Sequence, residues 1–232
     1  MAIRAVVTDI EGTTTSVSFV YDVLFPYARE NLSAYVRANA GDLAELLDDV
    51  RREAGDPALT LEDCIAALLR WMEEDRKVTP LKTLQGKVWK QGYEGGGSKG
   101  HLYPDVAPSL RRWKGQGLVL CVYSSGSVGA QKLLFGHSEA GDLTQLFSGW
   151  FDTLVGGKKE ATSYARIASE IGLAPHELLF LSDNPEELAA ARTAGLFVIG
   201  LDRPGNSFDL SGWPTATTFD QIDPAAMNSA EI

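Results

Sequence analysis

Apolar, β-branched runs that end in small polar or acidic residues recur along the chain, and stretches with helical spacing separate most of them. The first run, Ile3 to Thr8, ends at Asp9-Ile10-Glu11-Gly12. Leu118 to Tyr123 ends at Ser124-Ser125-Gly126-Ser127, and Glu177 to Leu181 at Ser182-Asp183-Asn184-Pro185. Leu196 to Leu201 ends at Asp202-Arg203-Pro204-Gly205, and a weaker run, Phe151 to Val155, precedes Gly156-Gly157-Lys158. Continuous apolar runs of this length read as strands buried on both faces. Val128 to Phe135, Ala161 to Ile171 and Glu186 to Ala194 carry helical spacing, the last two closed by Gly172 and Gly195. Glycine is the expected stop because it tolerates left-handed backbone. Strands alternating with helices predict an α/β fold, a doubly wound parallel sheet with helices on both faces.

From Val17 to Lys99 the pattern changes. Tyr21 to Ala38, Asp42 to Ala54, Thr60 to Asp75 and Pro80 to Gln91 are all helix-like, with no convincing strand. Thr60 and Asp63 have the spacing of a capping box, and Ile65, Leu68, Leu69 and Met72 then share one apolar face. The glycine-rich segment from Gly92 to Gly100 has the composition of a hinge or substrate loop. The expected organisation is an α/β core, 1–16 and 101–232, interrupted by an all-helical insertion, 17–100. The polar tail after Pro224 is expected to fray.

Composition narrows the function class. With 21 Lys and Arg against 31 Asp and Glu the formal charge is −10, which argues against nucleic acid as a partner. No segment approaches the roughly 20 apolar residues of a membrane helix, and no targeting segment opens the chain, so a cytoplasmic protein without a membrane partner is expected. Cys64 and Cys121 sit in apolar surroundings and read as reduced core residues.

In an open α/β sheet, ligands bind beyond the carboxyl ends of the strands. The residues at those ends are Asp9 and Glu11, then Ser124 and Ser125, then Lys158, then Asp183. Singly, each is most simply a helix cap, a turn former or a solvated charge. As an ordered set on one sheet edge they have a chemical logic. Carboxylates from two strands, Asp9 and Asp183, can share a Mg²⁺ ion, which keeps waters and a phosphate oxygen in its shell. Asp9 can attack phosphorus, while the Lys158 ammonium offsets charge on the transferring group. Ser124 and the amides of Ser125 to Ser127, opening a helix, can cradle the phosphate oxygens. Glu11 can protonate the leaving oxygen and later activate water.

The order Asp-x-Glu-Gly-Thr, Ser, Lys, Ser-Asp resembles the four motifs of the haloacid dehalogenase superfamily of phosphohydrolases. The helical insertion resembles that superfamily's cap domain. The resemblance implies Asp9 as nucleophile, Glu11 as acid/base, Ser124 as phosphate ligand, Lys158 as orienting cation and Asp183 as metal carboxylate. It also offers Glu187 as the secondary acid of the last motif. Glu11 departs from the aspartate usual at its position. With Asp9-Ile10-Glu11-Gly12-Thr13-Thr14-Thr15-Ser16, Tyr21 to Ala28, Gly92 to Val106 and Val122 to Ser127, the chain is similar to the enolase-phosphatases of methionine salvage.

That family enolises 2,3-diketo-5-methylthiopentyl-1-phosphate and hydrolyses the enol phosphate to 1,2-dihydroxy-3-keto-5-methylthiopentene. The resemblance thus implies one Mg²⁺ per chain, bound by Asp9, Asp183 and the main-chain carbonyl of Glu11. It implies a small phosphorylated metabolite held by Ser124, Ser125 and Lys158; a monomer is expected. Glu11 is the economical candidate for the enolising base. Phe19, Tyr21, Phe25 and Trp89 are candidates for the methylthio pocket, with core packing the simpler role for most of them.

Overall fold

A computed structural model describes residues 2–96 and 99–227. The chain divides into two compact units, Met1–Val17 with Lys99–Ile232, and Ser18–Ser98.

The first unit is built on a six-stranded parallel sheet ordered β3-β2-β1-β4-β5-β6. Its strands are β1 (Ala5–Thr8), β2 (Val119–Tyr123), β3 (Gly149–Phe151), β4 (Leu178–Ser182), β5 (Phe197–Leu201) and β6 (Thr215–Ala216). β1 is buried at every position, and Thr8 pairs with Val122 on one side and Leu181 on the other. Central placement of β1 explains its lack of polar alternation, because helices cover both faces. The unit's helices are α6 (Val106–Gly115), α7 (Val128–Gly136), α8 (Ala161–Ile171) and α9 (Pro185–Thr193). One side of the sheet packs Val7, Cys121, Tyr123 and Phe180 against Tyr164 and Ile167 of α8 and Leu188 of α9.

The second unit is helical: α1 (Val17–Phe19), a π-helical turn (Val20–Leu24), α2 (Phe25–Ala38), α3 (Ala44–Ala54), α4 (Leu61–Glu73) and α5 (Thr79–Glu94). Its core gathers Leu32 and Val36 of α2, Val50 of α3, Leu68 and Trp71 of α4 and Leu84 of α5. Thr60 caps α4 as its spacing predicts: Thr60 Oγ1 accepts from the Asp63 amide at 3.2 Å, and Asp63 Oδ2 accepts from the Thr60 amide at 3.0 Å.

Several sequence expectations shift. The weak strand ends at Phe151 instead of running on to Val155. Asp152 Oδ1 accepts the Leu154 amide at 2.9 Å, an Asx turn that competes with the ladder. The first helix of the insertion does not run evenly from Tyr21. Pro26 has no N–H to return to the carbonyl four residues back, and the chain widens to a π-turn in which Phe25 N–H reaches Val20 O. On α4 the fully buried face is Cys64, Ile65, Ala67, Leu68 and Trp71, with Leu69 and Met72 at its rim.

Gly92, Tyr93 and Glu94 belong to α5, so they do not form a hinge. Gly97 and Ser98 of that segment, and the tail from Asn228, lie outside the described residues. Helix α6 and edge strand β6 were not foreseen. Both cysteines are free and buried, and burial pushes the Cys121 thiol up to about 12. No helix among the described residues is long and apolar enough to cross a membrane.

Candidate active site

Asp9 is the first residue past β1, and its amide donates to Leu181 O of β4 at 2.9 Å, continuing the ladder by one bond. Immediately afterwards the chain folds back on itself. Ile10 O accepts the amides of Thr13, Thr14 and Thr15 at 3.2, 2.9 and 3.0 Å. Asp9 O accepts Thr8 Oγ1 at 2.9 Å and Thr14 Oγ1 at 3.4 Å. The threonine run therefore supplies hydroxyls that satisfy carbonyls a turn this tight leaves without ladder partners. Gly12 has φ +72°, and a Cβ on it would overlap the Asp183 carboxylate. Its absence lets the loop after β1 and the end of β4 approach each other closely.

Ser124 stands at the end of β2, next to β1, and is buried. Ser124 Oγ accepts the Gly126 amide at 3.2 Å, so one of the three amides expected to cradle phosphate is engaged within the turn. The N-cap of α7 is Ser127, whose Oγ accepts the Ala130 amide at 3.3 Å. Asp152 Oδ2 takes the Val128 amide at 3.1 Å. Ser125 is exposed beside this turn.

Lys158 lies beyond β3 after a six-residue turn, 152–157, and its side chain is nearly buried, with 10% exposed. Lys158 Nζ lies 2.5 Å from Asp9 Oδ1 and 2.7 Å from Glu187 Oε2. Glu187, on the first turn of α9, also accepts from Ser182 Oγ at 2.9 Å. Residues 149 positions apart thus form a buried ion pair, and Lys158 is not a solvated surface charge.

Asp9, Asp183 and Glu187 bring three carboxylates to one buried edge against a single ammonium. Burial, with the charges of Asp9 and Glu187, raises the Asp183 carboxyl to about 7. Burial and Asp9 raise Glu187 to about 7 against the pull of Lys158. For Lys158, burial alone would favour the neutral amine. The Asp9 and Glu187 charges outweigh it, and its pKa stands above the ordinary lysine value.

Whether these residues suit a divalent cation is answered by that excess of negative charge. Among the described residues no ion pair reaches Asp183, although it is buried beside two other acids. No group of three or more His, Cys, Asp or Glu side chains among the described residues converges as a closed metal cage. One or two hard carboxylates, with the remaining positions left to waters and substrate oxygens, is the donor set Mg²⁺ takes, so the residues fit.

Lys158, Asp9 and Glu187 are joined directly, and Asp183 meets the Gly12 turn. Ser124 and Ser125 lie on the same edge one strand over, and among the described residues no bond joins them to that cluster. Glu11 is half-buried in the Asp9 loop, in a bridge with Thr15. In the helical unit, the Tyr21, Phe25 and Trp89 rings succeed one another at 5.6 and 6.1 Å. Trp89 Nε1 donates to Leu24 O at 2.8 Å. Phe19, Phe25 and Trp89 are half-buried, whereas Tyr21 is open to solvent.

Sequence reading missed Gln131, which is buried and whose Nε2 donates to Gly126 O at 2.8 Å and Phe151 O at 2.7 Å, bracing the serine turn. It also missed Arg203. That guanidinium is buried, forks onto both Asp105 oxygens at 2.9 and 2.8 Å, and donates from Nε to Thr13 O at 3.1 Å. A glutamine inside a helix and an arginine after a strand carry no local signal of burial.

Residues 3–195 match the haloacid dehalogenase-like hydrolase family. Enolase-phosphatase E1 of Azotobacter vinelandii is 57% identical, covering 97% of this chain and 100% of its own. Enolase-phosphatase E1 of Pseudomonas aeruginosa is 58% identical, over 96% of this chain and 99% of its own. Among solved structures, the UTR4 protein of Saccharomyces cerevisiae is 35% identical and superposes with a TM-score of 0.83, covering 95% of this chain and 100% of that one. The chain belongs to the haloacid dehalogenase-like hydrolases and, within them, to the enolase-phosphatase E1 family.

Proposed function

We infer that this chain enolises 2,3-diketo-5-methylthiopentyl-1-phosphate and then hydrolyses the enol phosphate to 1,2-dihydroxy-3-keto-5-methylthiopentene and inorganic phosphate, in methionine salvage. The observation that carries the site assignment is the Lys158 ammonium held 2.5 Å from Asp9 in a buried cluster of acids. In the phosphatase step an Asp9 oxygen bonds to phosphorus as the bond from phosphorus to the substrate oxygen breaks. Glu11 delivers a proton to that leaving oxygen. Glu11 then takes a proton from water, the water oxygen attacks phosphorus, and phosphate leaves with Asp9 restored. Ser124, Ser125 and Lys158 hold the phosphoryl oxygens, and Lys158 offsets their growing charge. In the enolase step Glu11 is assigned the removal of the proton from carbon; the electron pair of that C–H bond forms the carbon–carbon double bond, and the proton is returned to the former carbonyl oxygen to give the enol.

One Mg²⁺ per chain would be held by Asp9, Asp183 and the main-chain carbonyl of Glu11. When bound there it supplies positive charge to the substrate carbonyl and the phosphoryl group. The enzyme is proposed to act as a cytoplasmic monomer on a small metabolite, without a nucleic-acid or membrane partner, with residues 17–100 serving as a cap.

The test is to monitor phosphate release and the enol chromophore together on the diketo phosphate, with Asp9→Asn beside the unaltered protein. Asp9→Asn should stay folded and release no phosphate. Retention of more than a few per cent of the rate would remove Asp9 as nucleophile.

A further inference from the structure

Lys158 can act only if its loop is held, and the three peptide units ending at Lys158 are bonded in an unusual way. Tyr123 Oη donates to Gly156 O at 2.9 Å, Ser163 Oγ to Gly157 O at 2.8 Å, and Tyr164 Oη to Lys158 O at 2.6 Å. Three successive carbonyls each accept a side-chain hydroxyl. Tyr123 ends β2, while Ser163 and Tyr164 lie in the first turn of α8, so the loop is gripped from two elements. All three side chains are buried. The tyrosine rings meet edge to face at 5.5 Å, and Tyr164 meets Phe180 at 5.0 Å, which fixes where the hydroxyls point. Gly156 completes the arrangement, with φ +138° and a position where any Cβ would overlap Ser163 Oγ.

We propose that Tyr123, Ser163 and Tyr164 form a hydroxyl clamp that positions the Lys158 backbone, and through it the ammonium between Asp9 and Glu187, for phosphoryl transfer. These are positioning residues, since none of their hydroxyls touches the reacting carboxylate. The need for them is physical. The loop ending at Lys158 is otherwise tied by few main-chain bonds, including Glu160 N–H to Gly157 O at 3.0 Å, and the lysine stem is flexible. An active-site group displaced by about 1 Å can lose about a hundredfold in rate. Buried phenols are pushed above the ordinary tyrosine value, so both tyrosines remain donors.

The proposal rests on Lys158 serving the phosphatase step, and the experiment separates the two ideas. Tyr123→Phe, Ser163→Ala and Tyr164→Phe each delete one hydroxyl and keep the remaining packing. Each should lower kcat for phosphate release about three- to tenfold, the range of one lost hydrogen bond, with KM changed less than about twofold. In a Lys158→Ala background the same substitutions should have no further effect on kcat or on orthovanadate affinity, because the clamp acts through the lysine. Near-normal turnover by Lys158→Ala would defeat the catalytic assignment and the clamp with it. A crippled Lys158→Ala beside normal single hydroxyl variants would overturn the clamp alone, as would hydroxyl effects that persist in full without the lysine. Should Tyr164→Phe not fold, Tyr123→Phe and Ser163→Ala carry the same cycle.

Discussion

Lys158 Nζ stands 2.7 Å from Glu187 Oε2 while it also pairs with Asp9 Oδ1. Glu187 is itself held by Ser182 Oγ, so the last strand of the motif set and the lysine loop meet in one bonded chain. Glu187→Gln keeps the shape and removes the charge that orients Lys158. We expect kcat to fall about tenfold or more. Thermal stability of the metal-free protein should be unchanged or raised, because a buried carboxylate beside Asp9 and Asp183 is gone. Loss of stability with unchanged kcat would mean that Glu187 is a packing residue only.

The raised carboxyls make a pH prediction whose sign is fixed. Asp183 and Glu187 titrate at about 7 in the folded chain, against ordinary values of 3.8 and 4.5. Their protonated forms favour the folded state, so the stability they confer is complete below about pH 4 and is lost as pH rises through about 7. Lys158 titrates well above this window and does not offset the loss. In EDTA, the melting temperature should therefore fall between about pH 5 and pH 8, and Mg²⁺ should flatten that slope. A melting temperature that rises across the window in EDTA would contradict the buried acid cluster.

Chelation tests the cation directly. EDTA should abolish phosphate release and added Mg²⁺ should restore it, while Asp183→Asn should move the Mg²⁺ activation curve to higher concentration. Activity indifferent to chelator would remove Asp183 as a ligand.

Gly12→Ala meets two obstacles at once, a backbone at φ +72° and the Asp183 carboxylate in the space of the new methyl. The loop must shift to accept it, and we expect activity to drop about a hundredfold. Wild-type kinetics in this variant would show that the Gly12 turn and Asp183 need not approach so closely.

Arg203 and Asp105 form a buried, forked ion pair, and burial is outweighed by the guanidinium so that Asp105 stays below the usual carboxylate value. Arg203 also lies over the Tyr103 ring at 4.3 Å. Arg203→Met strands a buried carboxylate and should cost about 3–5 kcal/mol in urea unfolding. The double variant Arg203→Met, Asp105→Leu should recover much of that loss.

The alternation of buried runs and helical spacing was legible in the sequence because it is local. A strand buried on both faces must be apolar throughout, and helices closed by Gly172 and Gly195 announce their ends. The order Asp9, Ser124, Lys158, Asp183 was legible for the same reason, since Asp9, Ser124 and Asp183 each stand just past a strand and Lys158 follows the next strand's turn. The length of β3 was not, because an Asx turn at Asp152 competes with only a few weak ladder bonds. Nor could periodicity reveal which charges meet. The Asp9–Lys158 pair spans 149 positions, and the Arg203–Asp105 pair 98. Sequence by itself determined the fold class, the strand ends other than that of β3, and the chemical types placed beyond them. Only the tertiary structure decided that two acids, Asp9 and Glu187, share one buried ammonium, and that three hydroxyls hold its loop. Those pairings depend on strand order and on burial, which make a charge costly unless a partner is brought to it.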